Sequence, residues 1–91
     1  MADKKQIEAS NYIKHLLSSR NLHITPRTMT FEDNKQWIVY THQGRELGID
    51  TASGVWIRAS SDESWRCLAT PCNVSGVLQA VEFLTKDHSG Q

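Results

Sequence analysis

The chain has few of the features that mark the more specialised classes of protein. Its 91 residues include only two cysteines, Cys67 and Cys72, and ten basic against ten acidic side chains leave a formal net charge of zero. A small secreted domain usually carries more cysteines than this. A binder of duplex DNA or of membrane surfaces usually carries a basic excess. We therefore expect a cytoplasmic protein with no membrane partner.

Several other signals are missing. No apolar run is long enough to span a bilayer, and no apolar stretch of the signal-peptide kind follows the first five residues. None of the four histidines pairs with another histidine or a cysteine at metal-ligand spacing. There is no glycine-rich phosphate loop, and the acidic residues form no pair that suggests acid–base catalysis. We therefore expect no metal, no cofactor and no enzymatic activity.

The two ends of the chain carry helical patterns. Apolar residues recur at the spacing of one helix face between about residues 3 and 20, with Asp3 as the expected cap and Asn21 as the expected end. A second stripe predicts a helix over about residues 71–85, for which Thr70 and Pro71 read as N-cap and first residue. The polar residues 86–91 then predict a frayed tail.

The middle of the chain alternates with period two. Short β-rich runs separated by turn residues fall within about residues 27–69, and no helical pattern interrupts them. Consecutive hairpins are the natural connection, because parallel strands would need crossover segments. The prediction is a single α+β domain over residues 1–91. It has two layers: an antiparallel meander of four to five strands and two amphipathic helices packed on one face of it.

Alternation also assigns the strand residues to the two faces of the sheet. The more apolar set predicts the face that the helices cover: Met29, Phe31, Leu47, Ile49, Val55, Ile57, Trp65, Cys67 and Ala69. The other set is mostly polar and predicts a solvent face: Thr28, Thr30, Glu46, Gly48, Asp50, Trp56, Arg58, Arg66 and Leu68. The strand over residues 36–41 leaves two alternatives, with either Trp37 and Val39 or Ile38 and Tyr40 pointing inward.

The candidate binding site is the outer face of the sheet. Trp56, Arg58 and Arg66 share this face by parity, and Tyr40 is the expected additional aromatic. Tryptophan beside arginine is typical of protein interfaces. The leading hypothesis is a non-enzymatic interaction or regulatory module that binds a protein partner, or a second copy, through these four residues. Alternatively, a loop or the tail covers Trp56.

Nucleic acid is the alternative partner. The same aromatic platform could stack unpaired bases, or basic residues near the first helix could contact phosphates: Lys4, Lys5, Lys14, Arg20 and Arg27. Glu46 and Asp50 on the outer face argue against phosphate. The order helix–strands–helix resembles that of double-stranded-RNA-binding domains, which carry lysines at the start of the last helix. Residues 75–80 contain no lysine or arginine, so this resemblance is not adopted.

Two smaller features have a structural reading. Parity places Cys67 in the core, where an inert thiol is expected, whereas Cys72 near a helix start could have a lowered pKa. A disulfide between the two would require Cα atoms within about 7 Å. The run from Asp50 to Gly54 could suggest a catalytic loop, but these residue types favour a hairpin turn, and Ser53 has no identifiable base.

Overall fold

A computed structural model describes residues 4–86; the expected cap Asp3 and the tail residues 87–91 lie outside this part of the chain. The elements are α1 (Lys4–Ser18), β1 (Arg27–Thr30), β2 (Gln36–His42), β3 (Arg45–Ile49), β4 (Val55–Arg58), β5 (Arg66–Ala69) and α2 (Val74–Thr85). The strands form one antiparallel sheet in the order β1-β2-β3-β4-β5. This confirms the predicted α+β class and the meander.

Both helices pack on one face of the sheet. The buried cluster joins the apolar stripes of α1 and α2 to Tyr40, Leu47, Ile49, Val55 and Ile57. Ile38 packs at its margin, so Ile38 and Tyr40 are the inward pair of β2. The predicted face is correct for the residues of β3 and β4 in this cluster: Leu47, Ile49, Val55 and Ile57. Their aliphatic side chains are 3% exposed or less, and this burial is the main source of favourable folding energy.

The ends of the helices follow local sequence chemistry. Asn21 has φ 62°, and the Leu22 N–H donates to the Leu17 carbonyl at 2.9 Å, which closes α1 as the sequence predicts. The start of α2 was misassigned. Its N-cap is Asn73, whose side chain accepts from the Gly76 N–H at 2.7 Å, and Thr70–Pro71 is a cis peptide bond before the helix. Asparagine is the better N-cap of the two, but Pro71 as an apparent first helical residue favoured Thr70 in the sequence.

Two polar side chains fix α1 on the sheet. Gln6 is fully buried and its Nε2 donates to the carbonyls of Gln36 and Ile49, at 2.8 and 3.0 Å. Ser10 hydrogen-bonds through its hydroxyl to the phenol of Tyr40, which in turn donates to the Ser10 carbonyl at 3.1 Å. These bonds satisfy buried polar groups that would otherwise be costly. They therefore set the position of α1 over β2 and β3.

Strand β5 contains a bulge. Val55 pairs with Ala69, whereas Trp56 pairs with Cys67, so Leu68 has no partner opposite it. One extra residue reverses the alternation on one side of a bulge. Arg66 accordingly pairs with Ile57 on the helix side, and Cys67 lies on the outer side with Trp56. The predicted faces of Trp65, Arg66 and Cys67 are wrong for this reason, whereas Ala69 faces α2 as predicted.

Strand β1 was also assigned to the wrong face. Met29 pairs with Trp37, and Phe31 packs on the Trp37 ring with centroids 4.5 Å apart, so both lie on the outer side of the sheet. Thr28 pairs with Ile38 and lies on the helix side. The apolar parity of β1 was recognised correctly. However, the apolar residues pack against a second cluster and not against the helices.

Candidate functional site

The helix-free face of the sheet carries four aromatic side chains in contact with one another. The Trp37 ring is central, with centroids 4.5 Å from Phe31, 5.4 Å from Trp56 and 5.3 Å from Trp65, at interplanar angles of 35°, 37° and 56°. Each ring is half-buried. We call these four residues the outer-face cluster. Tilted rings at such distances attract one another beyond their area burial, so the cluster is a packed surface and not a set of loose side chains.

Gly48 makes room for this cluster. A Cβ atom placed on it would lie 2.9 Å from Cε3 of Trp37 and 3.2 Å from Cζ3 of Trp65, so both rings lie directly on the backbone of β3. Gly48 pairs with Val39, which is fully buried although it lies on the helix-free side. The outer face therefore has a small core of its own beneath the rings.

A buried carboxylate lies beside the rings. The side chain of Glu46 is only 4% exposed and is held by two arginines, Arg58 through Nε and Arg27 at 2.6 Å. Thr41 adds a longer contact of 3.5 Å. The guanidinium of Arg58 also lies over the Trp65 ring, 4.3 Å from its centroid. The charge of Glu46 is thus compensated, and Arg58 fixes the edge of the cluster by a cation–π contact.

Asp50 holds Trp56. Its Oδ2 accepts from the indole Nε1 of Trp56 at 2.7 Å, while Oδ1 accepts from the backbone N–H groups of Ala52 and Gly54 at 2.8 and 2.7 Å. Residues 50–54 are thus the turn that the sequence favoured over a catalytic loop. Ser53 within this turn is buried and has φ 60°.

The other two indoles keep their donors available. Within residues 4–86, neither Trp37 nor Trp65 donates a hydrogen bond. No buried side-chain nitrogen or oxygen of the described residues lacks a partner, so these two Nε1 groups must reach solvent. The cluster therefore combines an apolar surface with two unused N–H donors, which is the combination that makes tryptophan common at interfaces.

The four residues predicted to bind a partner do not lie together. Trp56 and Arg58 are on the outer face, with Trp56 half-buried and the Arg58 side chain 12% exposed. Arg66 is exposed but lies on the helix side, because of the bulge, near Phe83 of α2. The placement of Tyr40 on the outer face is wrong: its side chain is completely buried beneath α1.

The environment of Tyr40 is structural. Burial raises the pKa of its phenol above the usual value of 10, and the hydrogen bond from Ser10 opposes part of that rise. A raised phenol pKa keeps the group neutral, which is what a core hydrogen bond requires.

The cysteines are both unpaired. Cys67, expected in the core, is exposed, and Cys72 is half-buried. Cys72 lines a groove of about 420 Å³ between α1 and the start of α2, together with Tyr12, Pro71 and Val74. Within residues 4–86, no group of three or more histidine, cysteine or acidic side chains could hold a metal ion, and no helix is long and apolar enough to cross a membrane.

Sequence reasoning missed Phe31, Trp37 and Trp65 as members of the site. The available signal was Gly48, because a glycine between Leu47 and Ile49 in mid-strand marks a close approach of other groups to the backbone. Three tryptophans in a chain of this length have to pack somewhere, and a glycine without Cβ is a natural place.

No known protein family, curated protein or solved structure matches the sequence.

Proposed function

We propose that this chain is a non-enzymatic, cytoplasmic interaction module that binds an extended segment of a protein partner on its outer-face cluster. The observation that carries the proposal is the pair of unused indole N–H groups, those of Trp37 and Trp65, within a packed aromatic surface. An extended peptide segment exposes carbonyl acceptors and apolar side chains at regular intervals. Such a segment could accept hydrogen bonds from the two indole N–H groups and place its apolar side chains on the rings.

The rigidity of the cluster supports recognition. Trp37 and Trp65 rest on the backbone at Gly48, Trp56 is tied to Asp50, and Trp65 lies against Arg58. Side chains that are already fixed lose little entropy when a partner binds. The cost of binding would then fall mainly on the partner segment.

The charges around the cluster favour a protein over nucleic acid. Arg27 and Arg58 are balanced by Glu46 and Asp50, so the charged side chains that hold the cluster leave no cationic excess among themselves. Binding of single strands depends strongly on neutralising phosphates. In addition, rings tilted by 35–56° and packed on one another do not offer parallel faces for successive bases.

The test uses peptides selected from a random displayed library against the intact protein, with tryptophan fluorescence as the readout. Trp37→Phe and Trp65→Phe keep an aromatic ring and remove one donor each. The double variant should bind about 5- to 150-fold more weakly if both donors are used, since each hydrogen bond contributes roughly 0.5–1.5 kcal/mol.

Trp56→Phe is the matched control, because its indole N–H is already committed to Asp50. It removes one indole from the same cluster but no available donor, so selected peptides should still bind. Equal affinity for the wild type and the Trp37/Trp65 double variant would refute the proposed site. Binding of single-stranded oligonucleotides that weakens steeply between 50 and 200 mM salt would favour the nucleic-acid alternative instead.

A further inference from the structure

Within residues 4–86 no strand pairs with the outer edge of β1, whereas the opposite edge of the sheet is protected. Strand β5 carries the bulge at Leu68, and an irregularity of this kind discourages pairing with another strand. Strand β1 pairs regularly with β2 over all four of its residues and contains no lysine, proline or bulge. The helices pack over β2 to β5, which leaves β1 at the margin of the helix layer.

The register identifies the backbone groups that face outward. The Phe31 N–H donates to the Lys35 carbonyl at 2.8 Å, so this pair is hydrogen-bonded. Hydrogen-bonded and non-hydrogen-bonded pairs alternate along an antiparallel ladder. Met29–Trp37 and Arg27–Val39 are therefore bonded pairs, while Thr28 and Thr30 direct their N–H and C=O groups away from β2. The open edge offers two donors and two acceptors.

We infer that this edge pairs with the same edge of a second copy of the chain, giving a continuous ten-stranded sheet. An antiparallel pair centred on Met29 places Thr28 of each copy opposite Thr30 of the other. All four outward groups of each β1 are then used, in four hydrogen bonds between the copies. The register is self-complementary, as a twofold interface requires.

The side chains of β1 suit the same register. On the outer face Met29 meets Met29 of the second copy, next to Trp37 of each chain, and Arg27 lies opposite Phe31. Arg27, whose side chain is 52% exposed, also approaches the other copy's β1–β2 turn. That turn, residues 32–35, contains Glu32, Asp33 and Lys35 and has one net negative charge. Threonine pairs and aromatic–cation pairs across strands are both favourable.

The inference is independent of the proposed peptide site and is tested by cross-linking. Met29→Cys in a Cys67→Ser background should form an intermolecular disulfide under mild oxidation, because centred, non-hydrogen-bonded pairs bring their Cα atoms to about 4.5 Å. Thr30→Cys in the same background is the matched control. Its partner in this register is Thr28, so it should form little dimer. Equal cross-linking of the two variants would overturn the register.

Solution measurements test the dimer without the disulfide. Sedimentation equilibrium of the wild type should show mass above the 10.3 kDa monomer at high concentration. The amide hydrogens of Thr28 and Thr30 should exchange more slowly as concentration rises, whereas that of Phe31 should not change. Met29→Lys places like charges opposite each other and should give a folded monomer by circular dichroism. A wild type that remains monomeric at 1 mM, or a Met29→Lys variant that still dimerises, would refute the inference.

Discussion

The two faces of the sheet cover their apolar side chains in different ways. On the helix side, aliphatic residues of β3 and β4 are sealed completely by α1 and α2. On the outer side no helix is present among the described residues, and the sheet covers itself with the four rings of the outer-face cluster and with arginine stems. Long charged side chains can cover apolar surface in this way. Only the second arrangement leaves apolar atoms and donors within reach of a partner.

Neighbouring residues of β3 show the contrast most directly. Glu46 and Gly48 point to the outer face, and Leu47 between them points to the helices. The environment therefore changes from a compensated carboxylate to an aliphatic core within one residue. Substitutions along this strand can separate the stability that each face contributes.

The largest effect is expected at Leu47. Leu47→Ala removes a completely buried side chain beneath both helices and should lower the free energy of unfolding by about 3 kcal/mol. Urea denaturation followed by circular dichroism measures the change. Val74→Ala, at a position 60% exposed, is the control and should stay within about 0.5 kcal/mol. A loss below about 1 kcal/mol at Leu47 would mean that the helix side is not the main core.

A smaller effect with a different signature is expected at Gly48. A methyl group there would collide with Trp37, whose Cε3 lies 2.9 Å from the new Cβ position, and should cost about 1–3 kcal/mol. The native tryptophan emission spectrum should also change, because Trp37 and Trp65 must move. The Leu47→Ala variant should keep the wild-type emission while folded. An unchanged spectrum in Gly48→Ala would contradict the packing of the rings on this strand.

The smallest effect concerns pH and Tyr40. Because its folded pKa is raised above the ordinary value of 10, the folded state holds the phenol proton more tightly than the unfolded state. This contribution is complete below pH 10 and is lost as pH rises towards the folded pKa, by at most about 1.4 kcal/mol per pH unit. The stability advantage of wild type over Tyr40→Phe should therefore shrink as the pH rises above 10 in urea titrations. If the unfolding free energies of wild type and Tyr40→Phe changed in parallel with pH, the raised pKa of Tyr40 would be contradicted.

The order of elements could be read from the sequence, because each helix and strand carries its own period. Alternation also identified the apolar side of β1, β3 and β4. It could not say what covers that side, and for Met29 and Phe31 the cover is the outer-face cluster. The face of β2 stayed open between Ile38 and Trp37 for the same reason, because both faces of the sheet cover large apolar side chains.

The remaining errors in the site come from long-range geometry. The bulge opposite Val55 and Trp56 has no signal in the run from Arg66 to Ala69, yet it decides the face of Arg66. The expectation that Glu46 and Asp50 are exposed charges also failed, because their partners, Arg27, Arg58 and Trp56, come from other strands. Pairings between distant segments of the chain are not encoded in any local period.

The bulge at Leu68 also affects how this chain tolerates insertions and deletions. A change of one residue in a surface loop normally leaves the neighbouring elements intact. Within β5, inserting or deleting one residue would shift by one position the alternation of side chains between the two faces of the sheet. It would exchange the sides on which Trp65 and Arg66 lie. The Trp65 ring would then leave Trp37 and point towards α2. The count of residues between Ala69 and Trp65 is therefore as strict a requirement of the aromatic surface as the tryptophans themselves.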